Sequence, residues 1–254
     1  KTTAVEQFAA RCGIPVQTIT GNSSLQFSDL IGQYVLMADN PGETPYMQWQ
    51  DGPLTTAWRE GHICLFNEMD LVDPGELAGL NDLLEGKPLI LTAKGGEVVY
   101  PNENFRFIAT CNTNGQGDET GGYVGTGMMN MAAMDRFRFM EVLYPTEDEE
   151  TQIVQAVAPA LSEEVARKMV QVANHVRDVF MGNSGTGDLS VTFSTRTLVR
   201  WAGLAMDFRG ADNTLRYSLE RALLMRGRPE DRSAIDRIAA DVFGEQEWYG
   251  TGSA

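Results

Sequence analysis

The chain has 254 residues, 43% of them hydrophobic and 22% charged, which is typical of a soluble globular protein with one large domain or two small ones. Its formal net charge of −15 at pH 7 disfavours nucleic acid and anionic membranes as partners, because a negative protein repels both. No apolar run approaches the roughly 18 residues of a membrane helix, and no export signal opens the sequence, so we expect no membrane association.

Cysteine and histidine usage argues against a metal centre built from these residues. Cys12, Cys64 and Cys111 show no C-x-x-C spacing, and His62 and His175 are far apart. An odd number of cysteines without framework spacing is typical of a reducing compartment. We therefore predict a cytoplasmic protein.

The first 145 residues alternate predicted helices with predicted strands, and Gly13 is expected to end the first helix. A glycine-rich stretch over 115–127 predicts a loop, because glycine makes regular structure entropically unfavourable. The alternation predicts an α/β fold, with a mainly parallel sheet covered by helices on both faces. We predict helices at 1–12, 54–60, 75–84 and 128–134, strands at 14–20, 62–66 and 105–110, and hairpins at 33–50 and 90–100.

After Pro145 the pattern becomes helical throughout. Thr146 and Glu149 fit a helix N-cap with its capping box. Further helices are predicted at 162–180, 194–208 and 214–224. We therefore divide the chain into an α/β domain, 1–145, and an all-helical domain, 146–254.

The sequence opens with residues that match the end of a phosphate-binding loop. Lys1, Thr2 and Thr3 begin the first predicted helix and fit the last part of G-x-x-x-x-G-K-[ST]. In that motif the helix N-terminus cradles phosphates, the lysine neutralises the β and γ phosphates, and the next hydroxyl binds Mg²⁺. The glycines are not in the sequence, and we expect that it begins inside this loop. Three residues are a weak signal alone, so the prediction depends on those that follow.

Polar residues follow two strands of the buried type. Asn67 and Glu68 come after an apolar run that starts at Ile63, and Asn112 follows a second run. Ligands of open α/β sheets bind at the carboxyl ends of the strands, so these side chains are expected at a binding edge. The alternative is that both are ordinary strand ends with solvated polar residues.

The Asn67-Glu68 pair resembles a Walker B motif, in which the first residue orders the Mg²⁺ shell and the glutamate polarises the attacking water. Most proteins with this motif have Asp at the first position. Asn67 keeps an oxygen but loses the charge, which predicts weaker Mg²⁺ binding or slower turnover. Asp70 is not expected to substitute for it.

Two arginines extend the pattern. Arg136 follows the predicted helix 128–134 in the sequence Met-Asp-Arg-Phe, and Arg196 follows Ser194, which fits a helix N-cap. Taken singly, an exposed arginine is ordinarily solvated or salt-bridged.

The order and spacing of these elements resemble the AAA+ family of P-loop ATPases. The resemblance implies that Asn112 is the sensor 1 residue beside the γ-phosphate. It also implies that Arg136 is an arginine finger acting on the nucleotide of the adjacent subunit, and that Arg196 is the sensor 2 residue of a helical lid formed by 146–254. The implied site therefore has catalytic residues Glu68, Asn112, Arg136 and Arg196, ATP-binding residues Lys1, Thr2 and Thr3, and Mg²⁺-binding residues Thr2 and Asn67.

A closer resemblance narrows the family. The stretches 28–32, 51–54, 115–126 and 130–136 resemble the ATPase subunit of aerobic cobaltochelatases, and much of the rest is shared with MoxR-like ATPases. This implies a hexameric ring that works with a subunit carrying a metal-ion-dependent adhesion domain and with a large chelatase subunit. In that family ATP turnover drives cobalt insertion into a corrin ring.

Three other functions stay open. The first is a MoxR-type remodelling ATPase that acts on a protein partner with a metal-ion-dependent adhesion domain. The second is a ring scaffold whose hydrolysis is impaired by Asn67, although the retained Glu68, Asn112, Arg136 and Arg196 argue against it. The third is a nucleic-acid motor, which the acidic composition disfavours.

The first predicted hairpin is rich in methionine and aromatic residues, namely Met37, Tyr46, Met47 and Trp49. Such residues are enriched at protein interfaces, so the hairpin is a candidate partner surface. The alternative is that they pack on the module itself.

Overall fold

A computed structural model describes residues 1–38, 44–112, 131–182 and 189–250. The chain divides into two compact units, Lys1–Val142 and Leu143–Ala254, which are described separately here. The domain boundary placed after residue 145 stays a prediction. Among the described residues, no helix is long and apolar enough to cross a membrane.

In its described part, the first unit combines helices with three small sheets. Its helices are α1 Thr2–Cys12, α2 Phe27–Ile31, α3 Pro53–Glu60, α4 Pro74–Leu77, α5 Asn81–Leu84 and α6 Met131–Met134. Its strands are β1 Val16–Thr20, β2 Gly32–Met37, β3 Tyr46–Asp51, β4 Ile63–Asn67, β5 Leu89–Leu91, β6 Glu97–Val99 and β7 Arg106–Ala109.

The central sheet is parallel and has the strand order β1-β4-β7. Side chains of β4 alternate between the two faces, as the pleat requires. Cys64 and Phe66 join the core that also contains residues of α2, α3 and α4, whereas Ile63 and Leu65 join the core beneath α1. The predicted α/β fold with helices on both faces of a parallel sheet is confirmed.

Helix α1 ends where the sequence predicts. Gly13 adopts the left-handed conformation with φ of 66°, and its N–H donates to the carbonyl of Ala10. Glycine reaches this conformation without the steric cost that a Cβ would add. The stop sets the direction in which the chain enters β1.

The prediction of one helix over 75–84 is wrong. The structure has α4, then a 3-10 turn at Ala78–Leu80, then α5. Gly79 lies at the tightened turn, where an added Cβ would come within 2.7 Å of the Phe27 ring. This close packing is a tertiary constraint that helical periodicity does not reveal.

Both predicted hairpins are present as antiparallel pairs, β2–β3 and β5–β6. The second is shorter than predicted, because a 3-10 turn at Thr92–Lys94 replaces the end of its first strand. Residues 39–43 of the first hairpin, the predicted glycine-rich loop over 115–127 and the beginning of the predicted 128–134 helix lie outside the described residues.

The second unit is helical throughout its described part. Thr146 caps its first helix with the predicted capping box to Glu149. The last two helices were not delimited from the sequence. Its helices are α7 Glu147–Val157, α8 Glu163–Phe180, α9 Thr195–Asp207, α10 Thr214–Ala222, α11 Pro229–Phe243 and α12 Glu245–Tyr249.

A buried ion pair lies inside the helical unit. Arg177 of α8 donates to both carboxylate oxygens of Glu150 on α7, at 2.7 and 2.9 Å. Its Nε donates to the carbonyl oxygen of Phe193 at 2.6 Å, and its guanidinium stacks on Tyr144. The Arg177 and Glu150 side chains are 3% and 0% exposed, so the pair ties α7 to α8 without access to solvent.

Candidate functional site

The N-terminus of α1 meets the carboxyl ends of β4 and β7. Thr2 Oγ1 donates to Asn67 Oδ1 at 2.8 Å. Lys1 Nζ donates to Asn112 Oδ1 at 2.9 Å and also to the carbonyl oxygen of Cys111. Each of these side-chain contacts joins two residues that are more than sixty positions apart in the sequence. All four residues were predicted to belong to the site, and the structure brings them together in two pairs.

The chain beside this cluster is closely packed. The N–H of Gly21, directly after β1, donates to the carbonyl of Asn67 at 2.7 Å. A Cβ at Gly21 would collide with the carbonyl oxygen of Glu68. Only glycine fits this approach, which brings the end of β1 against the turn that carries Asn67 and Glu68.

Glu68 lies in an unusual backbone conformation. Its φ of 52° is left-handed, which is uncommon for a residue with a side chain. The turn leaves Glu68 exposed, while Met69 and Asp70 behind it are buried. Strained residues often persist at functional sites because the surrounding structure fixes them.

Thr110 is a residue of this site that the sequence reasoning missed. It is 8% exposed. Its hydroxyl donates to Asn67 Oδ1 at 3.1 Å and accepts the N–H of Glu68 at 3.3 Å. The signal in the sequence is a hydroxyl residue near the end of an apolar strand run, two positions before Asn112.

Asp70 holds the chain after β7 in place. Its side chain is buried, and Oδ2 accepts the N–H of Asn112 at 2.9 Å. Burial raises the pKa of the Cys111 thiol, and the negative charge of Asp70 raises it further, against smaller opposing effects of the Asp70 backbone and Lys1. Cys111 therefore stays protonated near neutral pH and is a poor nucleophile.

The structure places Arg136 against Glu85. Arg136 Nε donates to Glu85 Oε1 at 2.9 Å, and Nη2 contacts the same oxygen. Hydrogen bonds from Lys87 and Arg136 hold the pKa of Glu85 below its ordinary value. Arg136 lies two residues after α6, on a turn closed by the bond from its N–H to the Ala133 carbonyl.

Arg196 belongs to the second unit. Ser194 caps α9, because its hydroxyl accepts the N–H of Thr197 at 3.1 Å, as predicted. Arg196 is exposed in the first turn of that helix. Neither its predicted lid role nor the other site roles are tested by this placement, and they stay predictions.

The free cysteines differ in access. Cys12 is exposed, Cys111 is half-buried and Cys64 is buried, and burial raises the pKa of the Cys64 thiol to about 12. Among the described residues, no group of three or more His, Cys, Asp or Glu side chains could hold a metal ion.

Comparison with known proteins identifies the class. A family model for the AAA domain, dynein-related subfamily, matches residues 1–121. A second model, the CbbQ/NirQ/NorQ C-terminal family, matches residues 150–242. These two matches cover most of the α/β unit and most of the helical unit, and they define an AAA+ ATPase.

Individual relatives narrow the group. The aerobic cobaltochelatase subunit CobS of Sinorhizobium sp is 32% identical over 88% of this chain and 69% of that protein. CbbQ of Hydrogenophilus thermoluteolus is 30% identical over 78% and 67%. NorQ of Paracoccus denitrificans (strain Pd 1222) is 29% identical over 96% and 83%. The chain belongs to the MoxR-like group of AAA+ ATPases that includes CobS, CbbQ, NorQ and NirQ.

Proposed function

We propose that this chain is an ATP-hydrolysing motor subunit of an AAA+ ring that uses Mg²⁺. The observation that carries the proposal is the pair of contacts at the sheet edge, Lys1 to Asn112 and Thr2 to Asn67. They bring a cation, a hydroxyl and two amides to the start of an 11-residue helix. Helix N-termini favour phosphate groups through their N–H donors and dipole.

The donor set fits the nucleotide and the ion that this family uses. Thr2 Oγ1 and Asn67 Oδ1 are neutral oxygens 2.8 Å apart, and Mg²⁺ prefers oxygen ligands. Lys1 is an exposed cation at the helix start, suited to a phosphate. When bound, Mg²⁺ supplies charge neutralisation to the β and γ phosphates.

The residues of the chain then have separate roles. Lys1 and Thr3 bind phosphate through charge and hydrogen bonds, and Thr2 and Asn67 supply oxygens to the ion. Glu68, exposed beside Asn67, orients the attacking water and accepts its proton. Asn112 contacts the terminal phosphate.

Two arginines complete the proposed mechanism. Arg136 stabilises the transition-state charge on the nucleotide of the adjacent subunit, which requires a homo-oligomer, and we propose a hexameric ring. Arg196 acts on the nucleotide from the helical unit. The three free cysteines support a reducing compartment such as the cytoplasm.

The similarity to CobS supports a motor that drives cobalt insertion into a corrin ring, working with a large chelatase subunit. A second candidate is a remodelling ATPase acting on a protein partner with a metal-ion-dependent adhesion domain. The match of residues 150–242 to the CbbQ/NirQ/NorQ C-terminal family relates the chain to proteins that are not named as cobaltochelatases, which keeps this second candidate open.

The test is ATP hydrolysis by the full-length protein and its variants. Glu68→Gln is expected to lower turnover by about 10²- to 10⁴-fold while ATP binding persists. Arg136→Ala is expected to lower turnover by a comparable or larger factor. Mixing the two inactive variants should recover activity, because each Arg136→Ala site then borrows the arginine of a Glu68→Gln neighbour.

Loss of ATP binding in Glu68→Gln would contradict the assignment of β4. Failure of the mixture to recover activity would contradict a shared site between subunits. The matched control is Glu6→Gln. Glu6 is exposed on α1, so this change removes the same charge at a position away from the sheet edge.

A further inference from the structure

The side chains of Glu85 and Arg136 join two segments that are 51 positions apart in the sequence. Glu85 directly follows α5, and the two side chains are 36% and 28% exposed. Both Nε and Nη2 of the guanidinium contact one carboxylate oxygen, Oε1. This contact fixes one edge of the guanidinium and with it the plane of the group.

The second oxygen of Glu85 is also engaged. Lys87 Nζ lies 2.8 Å from Glu85 Oε2 and 2.7 Å from Asp82 Oδ1. The carboxylate is thus held on one side by Lys87 and offers its other oxygen to Arg136. Glu85 therefore lies between Lys87 and Arg136.

The backbone near Arg136 is tied to the strand that leads to the proposed site. The Phe137 ring lies 6.1 Å from that of Phe107 on β7, and Phe137 packs on the core of this unit. The N–H of Phe137 donates to the Met134 carbonyl at 2.9 Å. Backbone and side chain of Arg136 are therefore positioned by different neighbours, Phe137 and Glu85.

We propose that Glu85 is a positioning residue that orients Arg136 toward the nucleotide of a second copy of this chain. The inference rests on the proposed function, in which Arg136 acts between subunits. A long arginine side chain has many rotamers, and ordering it before the subunits meet removes that entropy loss from the catalytic step. A half-exposed ion pair is weak and screened, so the guanidinium can still exchange part of this contact for a phosphate.

The experiment compares Glu85→Ala with Asp82→Ala in the assembled full-length protein. Glu85→Ala is expected to lower kcat by about 10- to 100-fold, as misplacement of a catalytic group does, with little change in the KM for ATP. Asp82→Ala removes the other carboxylate that contacts Lys87 and leaves Arg136 with Glu85, so kcat should stay near wild type. Glu85→Gln keeps an oxygen acceptor and should recover part of the loss.

A double-mutant cycle separates positioning from a general structural effect. In an Arg136→Ala background, Glu85→Ala should cause no further loss of kcat, because its target is gone. Wild-type kcat in Glu85→Ala, or equal losses in both backgrounds, would overturn the inference. If Arg136→Ala itself keeps full activity, the proposed intersubunit role of Arg136 fails, and that result is distinct from a failure of Glu85 alone.

Discussion

The sheet edge of the first unit and the interior of the helical unit both gather polar side chains, but they differ in exposure. At the sheet edge, Lys1, Glu68 and Asn112 are exposed. In the helical unit, Arg177 and Glu150 are sealed from solvent and paired with each other. A dense polar network is therefore not enough to indicate a ligand site, because only the exposed network has groups that a ligand can reach.

The largest expected effect comes from breaking the buried pair. Arg177→Met leaves the carboxylate of Glu150 buried without its partner, which should lower the free energy of unfolding by about 3–5 kcal/mol. Urea denaturation followed by circular dichroism measures it. The comparison predicts that folded Arg177→Met protein binds ATP normally.

Arg167→Met is the matched control. Arg167 lies on the same helix, α8, and is 39% exposed while it contacts Asp148 and Glu163. Exposed ion pairs contribute little to stability, so this variant should be much less destabilised. Equal losses of unfolding free energy in Arg177→Met and Arg167→Met would mean that burial of an ion pair does not decide its contribution to stability. Adding Glu150→Gln to Arg177→Met should restore part of the stability, because it removes the uncompensated charge.

An intermediate effect is expected at the sheet edge. Thr110→Val keeps the shape of the side chain but removes the hydroxyl that links Asn67 to the N–H of Glu68. We expect kcat to fall about tenfold or more through misplacement of these groups, with a stability loss of about 1–2 kcal/mol. Steady-state ATP hydrolysis and urea denaturation of the same samples measure both.

Thr110→Ser restores the hydroxyl and should restore turnover. If Thr110→Val loses stability on the scale of the Arg177 variant while keeping its kcat, the contrast between a functional edge and a structural interior is wrong for this residue.

The smallest effect concerns acid stability of the helical unit. Burial alone would raise the pKa of Asp231, but hydrogen bonds from the Ser190 hydroxyl and the N–H groups of Ser190 and Arg228 hold it below its ordinary value. A carboxylate with a lowered folded-state pKa stabilises the protein above its unfolded pKa, about 3.9. That stabilisation is lost as pH falls through the folded pKa.

Asp231→Asn should therefore flatten the decline of unfolding free energy below about pH 4, measured by urea denaturation at several pH values. Asp241, exposed on the same helix, is the control, and Asp241→Asn should leave the profile unchanged. A wild-type pH profile in Asp231→Asn would contradict the assigned cause.

Strand-end residues were predictable because their position follows from a simple rule. Apolar runs that end in Asn67 and Asn112 indicate parallel strands, and parallel strands of one sheet end at the same edge. Their contacts with Lys1 and Thr2 were predictable because these two residues lie at the start of the helix that precedes the sheet. The parallel sheet and the Thr146 cap were also predictable, because each can be recognised from a local pattern in the sequence.

Contacts set by tertiary packing were not predictable. Glu85 and Arg136 are 51 positions apart, and neither periodicity nor a motif links an exposed glutamate to a particular arginine. Thr110 directly follows β7, and the apolar residues before it dominate the sequence pattern. The pattern therefore did not indicate a role for the Thr110 hydroxyl. At the break between α4 and α5 the Phe27 ring packs against Gly79, a contact that helical periodicity does not reveal.

The three cysteines differ in their exposure to solvent, so a spectroscopic probe can be attached selectively. Cys12, the last residue of α1, is exposed, and α1 begins beside Lys1 and Thr2. At 1.5 Å per residue, Cys12 lies roughly 15 Å along the helix from Thr2 at the sheet edge. A maleimide dye should react first at Cys12, because Cys12 is exposed, whereas Cys64 is buried and Cys111 is half-buried. The wild-type chain thus carries its own labelling position, from which a fluorophore can test the proposed binding of nucleotide at the opposite end of the helix.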